Sequence, residues 1–444
     1  MTISRTICLG FLAVITAGTL LLTMPFAGTA GTWNSPVVAL FTSTSAVCVT
    51  GLSVVDPGTY FSFWGQLIVA LLAQIGGLGY MTMMTFLMLL MGRRFDLKQK
   101  FAIQESFDRP FLQGSRNLVR SILATTLIFE ITGVLLMFSV FARDHGVLKG
   151  LWLAIFHSVS AWNNAGFSLF KDNLISYQSS WLVNLTITGL IIFGGIGYQV
   201  IMEIYFWILH KLKRSGKKFC FSLNFKVVIH TSILLLILGT LSFLIVEIYN
   251  RETFANLTIK DKILAAWFQS VTSRTAGFNT IDIGKMSVEG LLMTMVLMFI
   301  GASPSGTGGG IKTTTLRIIA NCTRSVLRGH EEVVLYQRQV PTPLILKAIT
   351  VVFGSAIAIG IATLGISLLE SEFTSLSVLF EVVSAFGTVG LSMGITSSLS
   401  PLSQMILVLT MYTGRIGVIL LMAAFVGDPR PSNINYPEEN LLVG

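Results

Sequence analysis

Residues 47–52 read VCVTGL. This uncharged turn closes a short apolar segment near 36–48. A bilayer crossing needs about 20 residues, and apolar segments of about 10–14 suit re-entrant or interfacial helices instead. Three turns of the same kind follow: WNNAGF (162–167), SRTAGF (273–278) and FGTVGL (386–391). Each comes after another short apolar segment, near 149–162, 261–273 and 374–386. Aligned on Gly51, Gly166, Gly277 and Gly390, the turns are spaced by 115, 111 and 113 residues. A near-constant period this long means four tandem copies of one unit. The unit reads as long helix, short helix, glycine turn, long helix.

The long helices are the apolar stretches near 7–26, 64–91, 118–141, 181–209, 226–249, 288–302 continuing past a break to about 327, 343–369 and 403–426. The expected fold is an all-α membrane protein. It has eight membrane-spanning helices and four re-entrant pore helices around one pseudo-fourfold pore. Its repeats are expected at 1–92, 93–212, 213–330 and 331–444, with an intramembrane loop at 303–311 in the third and a cytoplasmic tail ending the fourth. The second long helix of each repeat carries glycine at a matching place: GGLGY (76–80), GGIGY (194–198), GASPSGTGGG (301–310) and TGRIG (413–417). Glycine there permits close helix approach or unwinding.

Composition agrees. Of 444 residues, 53% are hydrophobic and 11% charged, against about 25% charged in soluble domains. Cys8, Cys48, Cys220 and Cys322 are scattered, with no C-x-x-C, and support neither a metal site nor a disulfide framework. The first 30 residues have the outline of a signal peptide, with Arg5, an apolar stretch and Gly28-Thr29-Ala30. The repeat needs that segment as its first helix, so it is read as retained.

The net charge of +9 is a matter of topology. Residues 92–120, 211–226 and 312–347, with Arg5 and Arg430, hold 21 of the 30 Lys and Arg. The opposite side holds 8, and Arg415 lies within a span. The positive-inside rule then places both termini and the inter-repeat loops in the cytoplasm and the glycine turns toward the outside. No basic excess remains to suggest a nucleic-acid partner.

Non-helical backbone at membrane depth must be buried in protein or line a water-filled cavity. Four equivalent re-entrant loops in one chain can surround a single axis, and a ring of carbonyls can replace the hydration shell of K⁺. The C-terminal dipoles of the short helices add partial negative charge. The candidate filter comprises Cys48-Val49-Thr50-Gly51, Asn163-Asn164-Ala165-Gly166, Arg274-Thr275-Ala276-Gly277 and Gly387-Thr388-Val389-Gly390. None of these sixteen residues is acidic, which disfavours a filter built on carboxylate rings. Arg274 is expected to turn its side chain away.

Residues 303–314, SPSGTGGGIKTT, resemble a phosphate-binding loop, but Ile311 stands where its second glycine belongs and no strand precedes it. The alternative is a break in a membrane helix below the filter. Pro304 blocks helix continuation, and Gly306, Gly308, Gly309 and Gly310 make the segment pliable. Ser303, Ser305 and Thr307 can satisfy freed backbone groups, and Lys312 marks the return toward the cytoplasm. Arg415, mid-helix between apolar flanks, is a functional candidate by position. Facing the cavity, it would raise the barrier for K⁺; the alternative is a structural ion pair. Glu130, Glu203 and Glu381 are read as helix pairs or end charges, and His157 as a structural hydrogen-bonding residue. The chain offers no paired carboxylates at fixed spacing, no H-E-x-x-H and no convincing G-x-S-x-G, so it is not read as an enzyme.

The fourfold pattern with VTGL, NNAGF, RTAGF and GTVGL resembles the Trk/Ktr/HKT superfamily of potassium transporters over essentially the whole chain. The length and the lack of an extra N-terminal hairpin resemble the bacterial Ktr membrane subunit, of KtrB type, more than Trk. The resemblance implies K⁺ uptake across a bacterial cytoplasmic membrane, with Na⁺ coupling or modulation as the alternative. It makes 303–311 an intramembrane gating loop, and it matches Arg415 to an arginine in the family's last helix. Some plant members have Ser in the first filter and favour Na⁺; Gly51 favours K⁺. The resemblance also implies a homodimer and a separate cytosolic ring of RCK-domain subunits (KtrA/KtrC type) that binds ATP or ADP. No cofactor is expected on this chain, and K⁺ at the filter is its only expected metal.

Overall fold

The computed structural model describes residues 3–79, 115–213, 219–330 and 332–427. The inner part of the span expected at 64–91, most of the basic stretch 92–120, Arg430 and the tail 432–444 lie outside the described residues. In chain order the main helices are α1 (Ile3–Thr23), α2 (Pro36–Val47), α3 (Phe63–Leu78), α4 (Ser115–His145), α5 (Val147–Trp162), α6 (Trp181–Ile196), α7 (Tyr198–Leu212) and α8 (Leu223–Glu247). They continue with α9 (Ile259–Thr272), α10 (Val288–Phe299), α11 (Thr313–Leu327), α12 (Thr342–Leu369), α13 (Ser375–Gly387), α14 (Pro401–Ile416) and α15 (Val418–Val426). A two-stranded hairpin, β1 (Val334–Leu335) with β2 (Arg338–Gln339), packs Leu335 and Val340 near Ile318 and Ile345.

The starts of these helices are written in the sequence. The hydroxyls of Ser62, Ser222, Thr258, Ser287, Thr374 and Ser400 each accept a hydrogen bond from the backbone N–H three residues on, capping α3, α8, α9, α10, α13 and α14. Such caps satisfy amides that have no partner inside the helix. Pro36 and Pro401 stand at first helical positions, where a missing N–H costs nothing.

The first helix of each repeat is a full span: Ser4–Thr23, Arg120–His145, Leu223–Glu247 and Thr342–Leu369 are long and apolar enough to cross a bilayer. The second helix differs from the straight spans expected near 181–209 and 403–426. α6 and α7 meet at 100°, and α14 and α15 at 96°. Gly197 and Gly417 sit at these bends with φ of 90° and 89°, and Gly79 ends α3 with φ of 78°. A left-handed glycine stops a helix without the Cβ clash other residues suffer. In the third repeat the break is longer, and residues 300–312 separate α10 from α11.

Within each of the first three repeats one contact pins the short helix to the first long helix. Ser43 Oγ donates to Ile15 O (2.8 Å), Ser158 Oγ to Glu130 O (2.7 Å) and Ser270 Oγ to Leu236 O (2.9 Å). Three residues further on stand Gly18, Gly133 and Gly239, where a methyl group would collide with the same serine hydroxyls. The small residue admits the serine, and the serine takes up a carbonyl in a setting with few other donors. In the fourth repeat Val382 stands at the serine position.

Carboxylates, buried at Glu130, Glu247 and Glu381 and half-buried at Glu203, fix the loops around these helices. Glu247 accepts from Ser287 N (2.9 Å), Ser287 Oγ (2.6 Å), Asn250 Nδ2 (2.7 Å) and Thr253 Oγ1 (2.7 Å). Glu381 accepts from Ser392 Oγ, Met393 N and Thr396 Oγ1. Glu203 takes both Ser222 N and its hydroxyl, and Glu130 receives Asn163 Nδ2 at 3.3 Å. Glu130, Glu203 and Glu381, read from the sequence as helix pairs or end charges, are thus satisfied by hydroxyls and amides.

Ser158→Ala should cost about 1 kcal/mol, the usual worth of such a hydrogen bond. Gly133→Leu should cost far more, because the side chain must displace both Ser158 and Leu190. Thermal unfolding of the purified protein in detergent should show a small shift for the first and loss of a folded transition for the second.

Candidate functional site

The short helices α2, α5, α9 and α13 converge and each ends in a glycine turn. One hydroxyl per repeat ties the turn back to its helix. Ser45 Oγ accepts from Gly51 N (3.0 Å) and Ser384 Oγ from Gly390 N (3.1 Å). Ser160 Oγ donates to Phe167 O (2.8 Å) and Thr272 Oγ1 to Phe278 O (2.5 Å). Repeat three has one residue fewer between hydroxyl and glycine, and its turn closes through Ala276 N and Gly277 N, both donating to Thr272 O.

The four turns share one backbone conformation. Two residues before each glycine, Val49, Asn164, Thr275 and Thr388 have φ of 56°, 55°, 70° and 50°. The glycines themselves have φ of 89°, 71°, 76° and 94°. The residue between has negative φ, and such alternation of hand turns successive carbonyls toward one side. Thr50, Ala165, Ala276 and Val389 supply those carbonyls, and all four residues are buried.

The turns close into a ring. A methyl group on Gly51 would meet Ala165 O at 2.6 Å, and one on Gly166 would meet Ala276 O at 2.8 Å. On Gly277 it would strike Val389 O, and on Gly390 it would strike Thr50 O. Each repeat therefore touches the next, and the fourth touches the first. At each junction a backbone carbonyl lies so close to the neighbouring glycine that no side chain fits between them. Asn164 and Thr275 also link neighbouring repeats, with amide and hydroxyl 3.1 Å apart.

The other expected filter residues lie behind the ring. Asn163 Nδ2 reaches Gln74 Oε1 at 2.7 Å, and Cys48 is fully buried. Gly387 packs against Met298 O. Arg274 is half-buried, with its Nε buried and without a hydrogen-bond partner among the described residues. His157 is held between Leu153 O (2.8 Å) and Ser168 Oγ (3.0 Å), as a structural role requires.

The third repeat's broken segment sits against the ring where the short helices end. Its neck is closed by Gly301 N donating to Ile311 O (2.8 Å) and Ala302 N to Gly309 O (3.3 Å). Gly309 N donates to Thr388 Oγ1 (2.9 Å), and a methyl group on Gly308 would strike Thr275 Oγ1. Ser303 N donates to Gly195 O (3.0 Å), Thr307 N to Gly194 O (3.1 Å), and Tyr198 N to Ser305 O (3.1 Å). Lys312 Nζ folds back to Gly308 O at 2.9 Å, and Ser303 Oγ meets Thr313 Oγ1 at 2.9 Å. Ser305 takes φ of 60° and Gly310 of 67°. The glycines of 306–310 thus serve close approach as well as bending.

Arg415 completes the arrangement. Its guanidinium donates to Thr307 O of the loop and to Gly76 O of the first repeat. It has carbonyl partners in place of the ion pair weighed above. Gly77 and Gly195 hold the equivalent place in GGLG and GGIG, so one long cation occupies a position that is otherwise small. A cavity of about 500 Å³ opens beside the loop, lined by Pro304, Gly308, Lys312, Gly77 and Arg415 among others. Among the described residues no cluster of His, Cys, Asp and Glu could hold a metal ion.

A membrane protein of four re-entrant units, with glycine turns and backbone carbonyls at their meeting point, has an architecture suited to cation transport. Sequence comparison agrees: the TrkH cation transport proteins match residues 9–436, and the chain belongs to that family. It is 37% identical to the Ktr system potassium uptake protein B of Bacillus subtilis (strain 168), over 99% of this chain and 96% of the relative. Identity to the protein of the same name from Vibrio alginolyticus is 38%, over 99% and 94%. The potassium/sodium uptake protein NtpJ of Enterococcus hirae is 33% identical over 99% and 96%. The crystal structure of the potassium transporter TrkH from Vibrio parahaemolyticus shares the fold, with a TM-score of 0.70 at 18% identity, covering 95% of this chain and 85% of that one. The family is one of transport proteins, not of enzymes.

Gly197→Ala and Gly417→Ala carry the same left-handed strain, yet only the first pushes a methyl group into Pro304 O of the loop. In a background with Cys220 and Cys322 replaced by serine, Thr307→Cys should react faster with a water-soluble maleimide when Gly197→Ala is added. Gly417→Ala should leave that rate unchanged.

Proposed function

We propose that the chain takes up K⁺ across a bacterial cytoplasmic membrane through a carbonyl filter, gated by the loop at 303–311 and Arg415. The observation that carries this reading is the closed ring of Thr50, Ala165, Ala276 and Val389 carbonyls. Carbonyl oxygens can substitute for the water shell of a monovalent cation, and the four short helices point their negative ends at the same place. The names of the Bacillus and Vibrio relatives support potassium as the ion.

The driving force needs no covalent step. A potential of 100 mV is worth about 2.3 kcal/mol per charge, roughly a fifty-fold accumulation when about 1.4 kcal/mol is tenfold. The loop lies across the ring's helix side, and Arg415 ties it down while adding positive charge to the path. Opening is displacement of the loop after loss of the Arg415 and Thr388 contacts. Orientation follows the distribution of Lys and Arg, with both termini cytoplasmic.

The relatives are named as components of a Ktr system, which supports a separate regulatory partner. We assign that role to a cytosolic RCK-type ring carrying ATP or ADP, acting on a homodimer of this chain. Na⁺ coupling or modulation is a second reading, favoured by the name of the Enterococcus relative, which includes sodium.

The test is Rb⁺ uptake into proteoliposomes under an inside-negative potential, with Na⁺ flux read in parallel. Gly51→Ser should erode the preference for Rb⁺ over Na⁺ severalfold, because a side chain at φ of 89° must shift Ala165 O. Deleting 304–310 should raise flux. Arg415→Gln should raise it about tenfold or more, given about 1.5–3 kcal/mol for each charged hydrogen bond removed. Rb⁺ flux that does not occur even after the deletion would contradict the pore. Uptake that rises with external Na⁺ would favour the second reading.

A further inference from the structure

The left-handed glycines that end α3, α6 and α14 are not equivalent. A methyl group on Gly79 or Gly417 would meet nothing within 4 Å, whereas at Gly197 it would collide with Pro304 O and meet Ser305 C at 3.1 Å. The loop is therefore seated in the bend of the second repeat. Its backbone bonds run to Gly194 O, Gly195 O and Tyr198 N. Tyr198 is also the first residue of α7, so whatever fixes the direction of α7 fixes the seat of the loop.

α7 is held lightly by the rest of the protein. Among its residues only Val200 is buried. Tyr205, Phe206, Ile208 and Leu212 are exposed, Leu212 by 73%. The helix leaves α6 at 100°, so if α6 crosses the bilayer, α7 runs along its surface. Aromatic and aliphatic residues followed by Lys211 and Lys213 make the composition of an interfacial helix. Lys211 Nζ stands 4.7 Å from the Trp207 ring centroid, which holds an ammonium at the level where aromatic residues gather in membranes. The helix's one acid, Glu203, is taken by Ser222, and the described ion pairs involve neither lysine. The far end of α7 is thus a cationic edge beside an apolar face, complementary to anionic headgroups over acyl chains.

We propose that α7 binds anionic phospholipid headgroups through Lys211 and Lys213, and that this binding holds the loop under the filter. The second clause rests on the gate reading above; the first does not. A ligand that favours one conformation raises its population by its differential affinity. Here the favoured conformation has α7 lying in the plane and Ser305 bonded at its start. Anionic lipid therefore lowers flux, and neutralising the two lysines relieves the inhibition.

The full-length chain would be reconstituted in phosphatidylcholine vesicles with and without phosphatidylglycerol. The binding readout is quenching by brominated phosphatidylglycerol or brominated phosphatidylcholine, taken as the difference between wild type and Trp207→Phe. Quenching should be stronger with the anionic lipid, and Lys211→Gln/Lys213→Gln should abolish the preference. The flux readout is Rb⁺ uptake. Phosphatidylglycerol should lower it about three- to tenfold, within the roughly thirtyfold that two lysines near an anionic surface can supply at most. The double variant and the 304–310 deletion should each lose that dependence. Equal quenching by both lipids would overturn the lipid site. Absence of any Trp207 quenching would overturn it in favour of a second copy of the chain covering α7. A lipid preference that leaves flux unchanged in wild type, while the deletion still raises flux, would overturn the coupling alone. If the deletion fails to raise flux, the gate reading falls and the quenching result still decides the site.

Discussion

The structure depends on four glycine turns that each rest on a backbone carbonyl of the next repeat, with no room for a side chain between them. Carbonyl oxygens brought together in this way repel through their partial negative charges. The protein fixes them from behind. A hydroxyl at the end of each short helix ties its turn, at Ser45, Ser160, Thr272 and Ser384. Gly51, Gly166, Gly277 and Gly390 let each turn lean directly on the next repeat's carbonyl. The arrangement is rigid because it is closed: no turn can retreat without opening a gap beside its neighbour. A cation at the centre is the natural counter-charge.

Near-symmetry in the ring coexists with asymmetry below it. Among the described residues only the third repeat has its second helix interrupted by a long segment, and only the fourth places an arginine where the first two have Gly77 and Gly195. These two departures meet at Thr307, whose carbonyl receives Arg415. The second repeat contributes a third departure without changing its sequence motif: its bend is occupied by the loop, while a methyl group on Gly79 or Gly417 would meet nothing within 4 Å. In the proposed function the repeats share the task of coordinating an ion and divide the task of controlling access to it.

Much of this was legible in the sequence, for identifiable reasons. Glycine at a recurring position records a positive φ, so the period of Gly51, Gly166, Gly277 and Gly390 revealed the repeat. A charge in an apolar span is costly, which made Arg415 stand out. Other features left weaker traces. Val49, Asn164, Thr275 and Thr388 share a left-handed φ but no side-chain chemistry. The glycines at Gly197 and Gly417 read as places of close helix approach or unwinding, but the angle of each bend was hidden because hydropathy records length and not direction. The seating of the loop on Gly194, Gly195 and Tyr198 uses backbone groups, which every residue possesses. The serine contacts at Ser43, Ser158 and Ser270 were readable in principle, from serine recurring seven or eight residues before the turn glycine with a glycine in the preceding long helix.

The central claim is that a cation rests on the ring, and the most direct measurement is anomalous diffraction from crystals grown in Rb⁺. The account predicts an anomalous peak among the carbonyl oxygens of Thr50, Ala165, Ala276 and Val389, weakened more by added K⁺ than by added Na⁺. A well-ordered ring without such a peak, or Rb⁺ found only at sites away from it, would contradict the account.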